Sequence, residues 1–232
     1  MKTKAAVLFE CNQPLRIITL DIPKLKPGQV LVDVAYSGVC HSHLMEIKGL
    51  RGKDKFVPHL LGHEGCGKVI RIGKNVKKIK KNDWVILGWI KGKGHNVNGP
   101  KYKYKNNIIN SGPITTFNTY SVVSENRLVI LPPNISKKEA VLYGCALPTG
   151  AGMIFNQTNL SKNKSIAIIG IGGVGLIALI SSNIFKCKYI IAIDTNEQKL
   201  QLAKKYGATH LINPNKTNIY AAINKITDFK GV

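Results

Sequence analysis

The chain has 232 residues, 44% hydrophobic and 7% aromatic, which is ample for a buried core and excludes a disordered segment. Its 34 Lys and Arg against 12 Asp and Glu give a formal charge of +22, yet the lysines are scattered among frequent Asn and Ile. A nucleic-acid-binding module would gather them into one patch, so none is expected, although a positive field attracts anionic cofactors and substrates. Five widely spaced cysteines and a start without signal-peptide form point to the reducing cytoplasm, with thiols free or metal-bound.

From the N-terminus, short β-like runs separated by turn residues are predicted at Lys4–Phe9, Leu15–Thr19, Gln29–Tyr36, Cys66–Ile72 and Trp84–Leu87. The polar segment Lys91–Gly112, rich in Lys, Asn, Gly and Tyr, is expected to be a long surface loop. Strand signals return at Thr119–Val123 and Arg127–Ile130, so residues 1–150 form a largely β domain with few helices. From about residue 151 the pattern alternates. A β run at Ser165–Ile169 precedes a buried helix at Val174–Phe185, and a second strand at Tyr189–Asp194 precedes a helix at Glu197–Tyr206. That helix is capped by Asn196 and ended by Gly207; a short strand at His210–Ile212 and a helix near Ile219–Ile226 follow. Alternation of this kind implies a parallel sheet over residues 151–232. The uncharged stretch Ser165–Phe185 has the length of a membrane span, but its patterned glycines and the second βα unit behind it favour a buried strand–turn–helix.

Gly170-Ile171-Gly172-Gly173-Val174-Gly175 fits G-x-G-x-x-G between a strand and a helix. In that context Gly170 permits the tight turn and Gly172 lets the backbone approach a pyrophosphate at the helix N-terminus. Gly175 allows close helix–strand packing. Asp194, at the end of the second strand, can accept from ribose hydroxyls and repel a 2′-phosphate, so NAD is favoured over NADP.

A second cluster combines thiol, imidazole and carboxylate: Gly38-Val39-Cys40-His41-Ser42-His43 and Gly62-His63-Glu64-Gly65. Zinc takes such ligands, but with no C-x-x-C pair and no H-E-x-x-H helix, spacing alone leaves metal binding open. The remaining Cys11, Cys66, Cys187, His59, His95 and His210 read as packing or surface residues.

Gly38–Ser42, Gly62–Gly65, Gly144-Cys145, Pro148-Thr149-Gly150 and the glycine fingerprint stand in the order found in zinc-dependent alcohol dehydrogenases of the medium-chain dehydrogenase/reductase family, which the chain resembles over nearly its whole length. The resemblance implies an α/β protein, with a GroES-like β-barrel-type catalytic domain (1–150) followed by an incomplete Rossmann doubly wound parallel sheet (151–232). It implies Cys40, His63 and Cys145 as ligands of one catalytic zinc, water or alcohol taking the fourth position. Glu64 is then the glutamate behind the metal, an outer or transient ligand. Ser42 is the hydroxyl that takes the alcohol proton, and His41 contacts the cofactor pyrophosphate and ends the proton relay. Thr149 contacts the nicotinamide, Trp89 lies on the substrate-pocket wall and Lys199 lies near the adenosine ribose.

Three departures from the family pattern stand out. His43 replaces the usual Asp that orients the zinc-bound histidine; a neutral hydrogen-bonding role behind that ligand is expected, with metal ligation by His43 itself as the alternative. Lys91–Gly112 lacks the four cysteines of a structural zinc, so one zinc is expected, not two. The chain ends at Val232, before what would be the fourth Rossmann strand, which would leave Ser165–Ile169 as a bare apolar edge and suggests a fragment or a truncated reading frame. The expected function is hydride transfer between a small-molecule alcohol, or the corresponding carbonyl, and NAD, without membrane or nucleic-acid partners. A polyol or sugar-alcohol dehydrogenase with the same site and a catalytically inactive dinucleotide-binding remnant are the alternatives; a homo-oligomer is an option for a full-length form.

Overall fold

The structure, a computed structural model, describes residues 1–232 and divides into two compact units, Met1–Cys145 and Ala146–Val232. The first unit is built on antiparallel sheets. Strands β1 (Lys2–Leu8), β2 (Arg16–Asp21), β3 (Gln29–Ser37), β4 (His59–Leu60), β5 (Gly65–Ile72) and β6 (Trp84–Leu87) are followed by β7 (Tyr102–Tyr104), β8 (Asn107–Ile109), β9 (Tyr120–Ser124) and β10 (Leu128–Ile130). One sheet runs β10-β6-β5-β3-β9, another β2-β1-β4, and β7-β8 is a separate hairpin. Alternating apolar residues of the larger sheet, among them Val30, Val32, Val69, Val85, Leu87 and Val123, bury one core. Ala5, Val7, Ile18, Leu20 and Leu60 of the smaller sheet bury a second. A short helix, α1 (His41–Ile47), is inserted between β3 and β4.

The segment expected to be a surface loop is largely irregular and exposed, with one departure. Lys91–Gly112 contains the β7-β8 hairpin, and Tyr102 and Ile109 are 1% and 0% exposed within the second core. Its polar composition reflects outward-facing lysines and asparagines, while two apolar side chains anchor the segment inward. Further anchors are the bonds from Val97 N–H to Ser124 Oγ (2.9 Å) and from Gln29 Nε2 to the Asn98 carbonyl (3.0 Å).

The second unit opens with α2 (Ala146–Gln157), which runs through the composition change near residue 151. Strands β11 (Ser165–Ile169), β12 (Tyr189–Ile193) and β13 (His210–Ile212) then alternate with helices α3 (Gly173–Ser182), α4 (Glu197–Lys205) and α5 (Ile219–Thr227). The strands pair in parallel in the order β11-β12-β13. The two-residue period of β12 sends Ile190 and Ala192 to the face covered by α2, α3 and α4, and Ile191 and Ile193 to the face covered by α5. Helices on both faces of a parallel sheet make this a doubly wound arrangement, α/β as expected. Strand β11 pairs on one side only, and its terminal Ile169 is 77% exposed. No helix is long and apolar enough to cross a membrane.

Candidate functional site

Two elements of the first unit carry the thiol–imidazole cluster. Cys40 is the N-cap of α1 in extended conformation, so the chain turns at this residue and the helix begins at His41. His63 follows Gly62, whose φ of +92° and whose approach to Thr116 suit only glycine: a Cβ there would lie 2.3 Å from the Thr116 hydroxyl. The N–H groups of Thr116 and Phe117 both donate to the Leu61 carbonyl at 3.1 Å, which fixes the turn that delivers His63. Cys145 ends a 3₁₀ turn over Glu139–Gly144 and is buried.

These segments bring the ligand atoms of Cys40, His63 and Cys145 within 4.8 Å of one another. Tetrahedral zinc with ordinary Zn–S and Zn–N bond lengths needs donor separations of about 3.4–3.8 Å, which fall inside that limit. The donor chemistry, two thiols and one imidazole, fits the three protein ligands of a catalytic zinc. Burial and the nearby Arg51 guanidinium lower the pKa of His63, which keeps the ring neutral as a metal ligand must be. Glu64, buried at 5% exposure, adjoins His63 in sequence but stands outside the converging trio.

His43 lies 2% exposed against His63 at 4.4 Å between ring centroids, and against Phe117 at 4.7 Å. Its Nδ1 accepts from the Cys40 N–H at 3.2 Å, which assigns the ring hydrogen to Nε2. Burial first, then His63 and Arg51, hold its pKa down to about 4, so it is a neutral imidazole packed behind the ligand. Ser42 Oγ is buried with no protein hydrogen-bond partner, whereas His41 is exposed. Trp89, 47% exposed, is not a core residue; its carbonyl accepts from Arg127. Arg51 and Phe117 carry no local signal in the sequence and become neighbours of the histidines only through the fold.

In the second unit the fingerprint glycines stand between β11 and α3. A Cβ at Gly175 would lie 1.9 Å from the Gly170 carbonyl, so glycine there is what permits the helix to approach the strand end. At Gly170, Gly172 and Gly173 a Cβ would meet nothing within 4 Å, which leaves an open backbone cradle at the helix N-terminus. Val174 begins the helix behind it. Asp194 closes the loop: its Oδ2 accepts from the Ile171 N–H at 2.7 Å and its Oδ1 from the Asn196 N–H at 2.9 Å. Burial raises its pKa, but the Asn196 and Ile171 N–H groups and Lys199, 3.8 Å away, outweigh it, so the carboxyl sits below the usual range and stays ionised. Asp194 and Lys199 are therefore brought together as a pair. Thr149 lies in α2, its Oγ1 buried and without a protein partner. Both the cradle and the carboxylate suit a dinucleotide.

Comparison with known proteins bears on the family and the fold. Residues 26–133 match the alcohol dehydrogenase GroES-like domain and residues 173–232 match the zinc-binding dehydrogenase model. An S-(hydroxymethyl)glutathione dehydrogenase of Photobacterium damsela subsp. piscicida is 34% identical over 93% of this chain and 65% of its own length. One from Escherichia coli O1:K1 is 33% identical over the same shares. The chain thus spans about 65% of the length of the curated relatives it matches. Among solved structures, the benzyl alcohol dehydrogenase of Acinetobacter calcoaceticus superposes with a TM-score of 0.83 at 30% identity, covering 98% of this chain and 68% of that one. An alcohol dehydrogenase zinc-binding domain protein from Burkholderia ambifaria gives a TM-score of 0.86 at 27% identity, over the same shares. The chain belongs to the zinc-dependent alcohol dehydrogenases of the medium-chain dehydrogenase/reductase family.

Proposed function

We propose that the chain carries the catalytic metal site and the adenosine-binding half of an NAD-dependent alcohol dehydrogenase, with Cys40, His63 and Cys145 as the three protein ligands of one catalytic zinc. The observation that carries this reading is the convergence of two thiols and one neutral imidazole within 4.8 Å, from three separate segments. When bound, zinc supplies Lewis acidity toward an alcohol oxygen and NAD accepts hydride. The residues do the rest. Ser42 Oγ, buried and without a protein partner, is free to take the alcohol proton, and exposed His41, the preceding residue, passes it to solvent. Glu64 places a buried carboxylate behind the metal ligands, and His43 packs the ring of His63. The glycine cradle receives the pyrophosphate, Asp194 accepts from the adenosine ribose and Lys199 flanks it; Thr149 and Trp89 are assigned to nicotinamide and substrate. The cysteine-free segment Lys91–Gly112 holds no second thiolate site.

The test is loading with Co2+, whose thiolate complexes absorb strongly in the near ultraviolet. Wild type is expected to develop that absorption, and Cys40→Ser and Cys145→Ser to lose most of it while staying folded. Folded wild type without thiolate absorption overturns the metal site, and with it the mechanism.

A further inference from the structure

Outside that trio, Glu46, Asp54 and His59 present ligand atoms within 4.8 Å of one another. They come from α1, from the irregular segment between α1 and β4, and from β4. Their side chains are 29%, 12% and 9% exposed, so this is not a group of solvated surface charges. The chain has only 12 acidic residues against 34 basic ones, yet two of the 12 meet here on one histidine.

The ring of His59 defines what lies between them. Its Nδ1 is 3.0 Å from the Leu60 carbonyl, which can only accept, so Nδ1 carries a hydrogen. Nε2 then faces two carboxylate oxygens, Asp54 Oδ2 at 2.9 Å and Glu46 Oε1 at 3.6 Å. A lone pair cannot face two anions; a positive charge belongs there. A metal-ligating histidine characteristically donates its other ring N–H to a backbone carbonyl, which is the arrangement found. Tetrahedral zinc with one nitrogen and two oxygens sets donor separations of about 3.4 Å, and the two observed values bracket this.

An independent feature points to a polar occupant of the space beside the trio. Glu46 and His59 line a pocket of ≈330 Å³ with His43. The His43 Nε2–H is buried and has no protein partner, in a residue 2% exposed. It requires an acceptor from the pocket. Water held in the pocket supplies that acceptor, so a polar occupant belongs beside the trio.

We propose that Glu46, Asp54 and His59 bind a divalent transition-metal cation of the Zn2+ type, distinct from the thiolate site. The ion ties the end of α1 to β4. Cys40 caps the start of α1 and His63 follows β4, so the clamp fixes the spacing of two thiolate-site residues. The sequence reading expected one ion; this site would make two.

Equilibrium dialysis of the full chain against Zn2+, paired with Co2+ spectra, tests the proposal. Wild type should bind two Zn2+ per chain. Glu46→Gln and Asp54→Asn, checked for folding by circular dichroism, should weaken one equivalent at least tenfold. Their Co2+ thiolate absorption should remain, whereas Cys145→Ser should lose that absorption and keep the other equivalent. If only the thiolate reading is wrong, wild type binds one Zn2+ without thiolate absorption and Glu46→Gln removes it. Wild type whose only bound ion is the thiolate one overturns the proposal. So does retention of two equivalents at unchanged affinity in both carboxylate variants.

Discussion

At the scale of single residues, the dinucleotide half of the site depends on one carboxylate with two duties. Asp194 holds the fingerprint loop through the Ile171 N–H, and the same charge would discriminate against a 2′-phosphate. Asp194→Ala is therefore expected to weaken NADH binding at least tenfold, about 1.4 kcal/mol or more, and to narrow any preference for NADH over NADPH. Fluorescence titration with both nucleotides checks this; an unchanged ratio would remove Asp194 from cofactor choice. The glycines of this loop were readable from the sequence because only absent side chains satisfy such approaches, as the 1.9 Å contact at Gly175 demonstrates. The placement of His43 was not readable. Its role depends on the ring of His63 and on Phe117, which arrive from distant parts of the chain.

At the scale of elements, the cysteine-free segment after β6 is fastened by a carboxylate. Glu125, 1% exposed, accepts from the Lys77 and Lys78 N–H groups at 2.7 and 2.8 Å and from the His95 N–H at 2.9 Å. Burial alone would raise its pKa; the N–H groups of His95, Lys78 and Lys77 outweigh this and hold the carboxyl below its ordinary value. A depressed folded-state pKa contributes stability that is present above the unfolded pKa, near 4.3, and is lost as pH falls through the folded value. Glu125→Gln should cost about 1–3 kcal/mol at neutral pH and flatten the acid limb of stability below about pH 4.5, measured by urea unfolding across pH. An acid limb as steep as that of wild type would show that this carboxylate does not carry the dependence. The hairpin within this largely exposed segment was not legible in the sequence. Its two inward residues, Tyr102 and Ile109, are a small minority among lysines and asparagines, too few to set a hydrophobic period.

At the scale of the whole molecule, the parallel sheet ends at β11 with an unpaired row of backbone groups and an exposed Ile169. Such an edge templates pairing with another chain. Ile169→Lys is expected to reduce concentration-dependent association, followed by light scattering; unchanged association would locate the adhesive surface elsewhere. The alternation of strands and helices, the two-residue period of β12 and the glycine turn are local patterns, so the α/β class and the dinucleotide loop were determined by the sequence itself. Residue order also carried the family resemblance, and with it Cys40, His63 and Cys145 as candidates. Only the tertiary structure decided that these three converge, since spacing along the chain says nothing of distance once turns such as that at Gly62 fold it back. It also gathered Glu46, Asp54 and His59, which looked ordinary singly, because a site made of mutual proximity has no signature until the chain has closed around it.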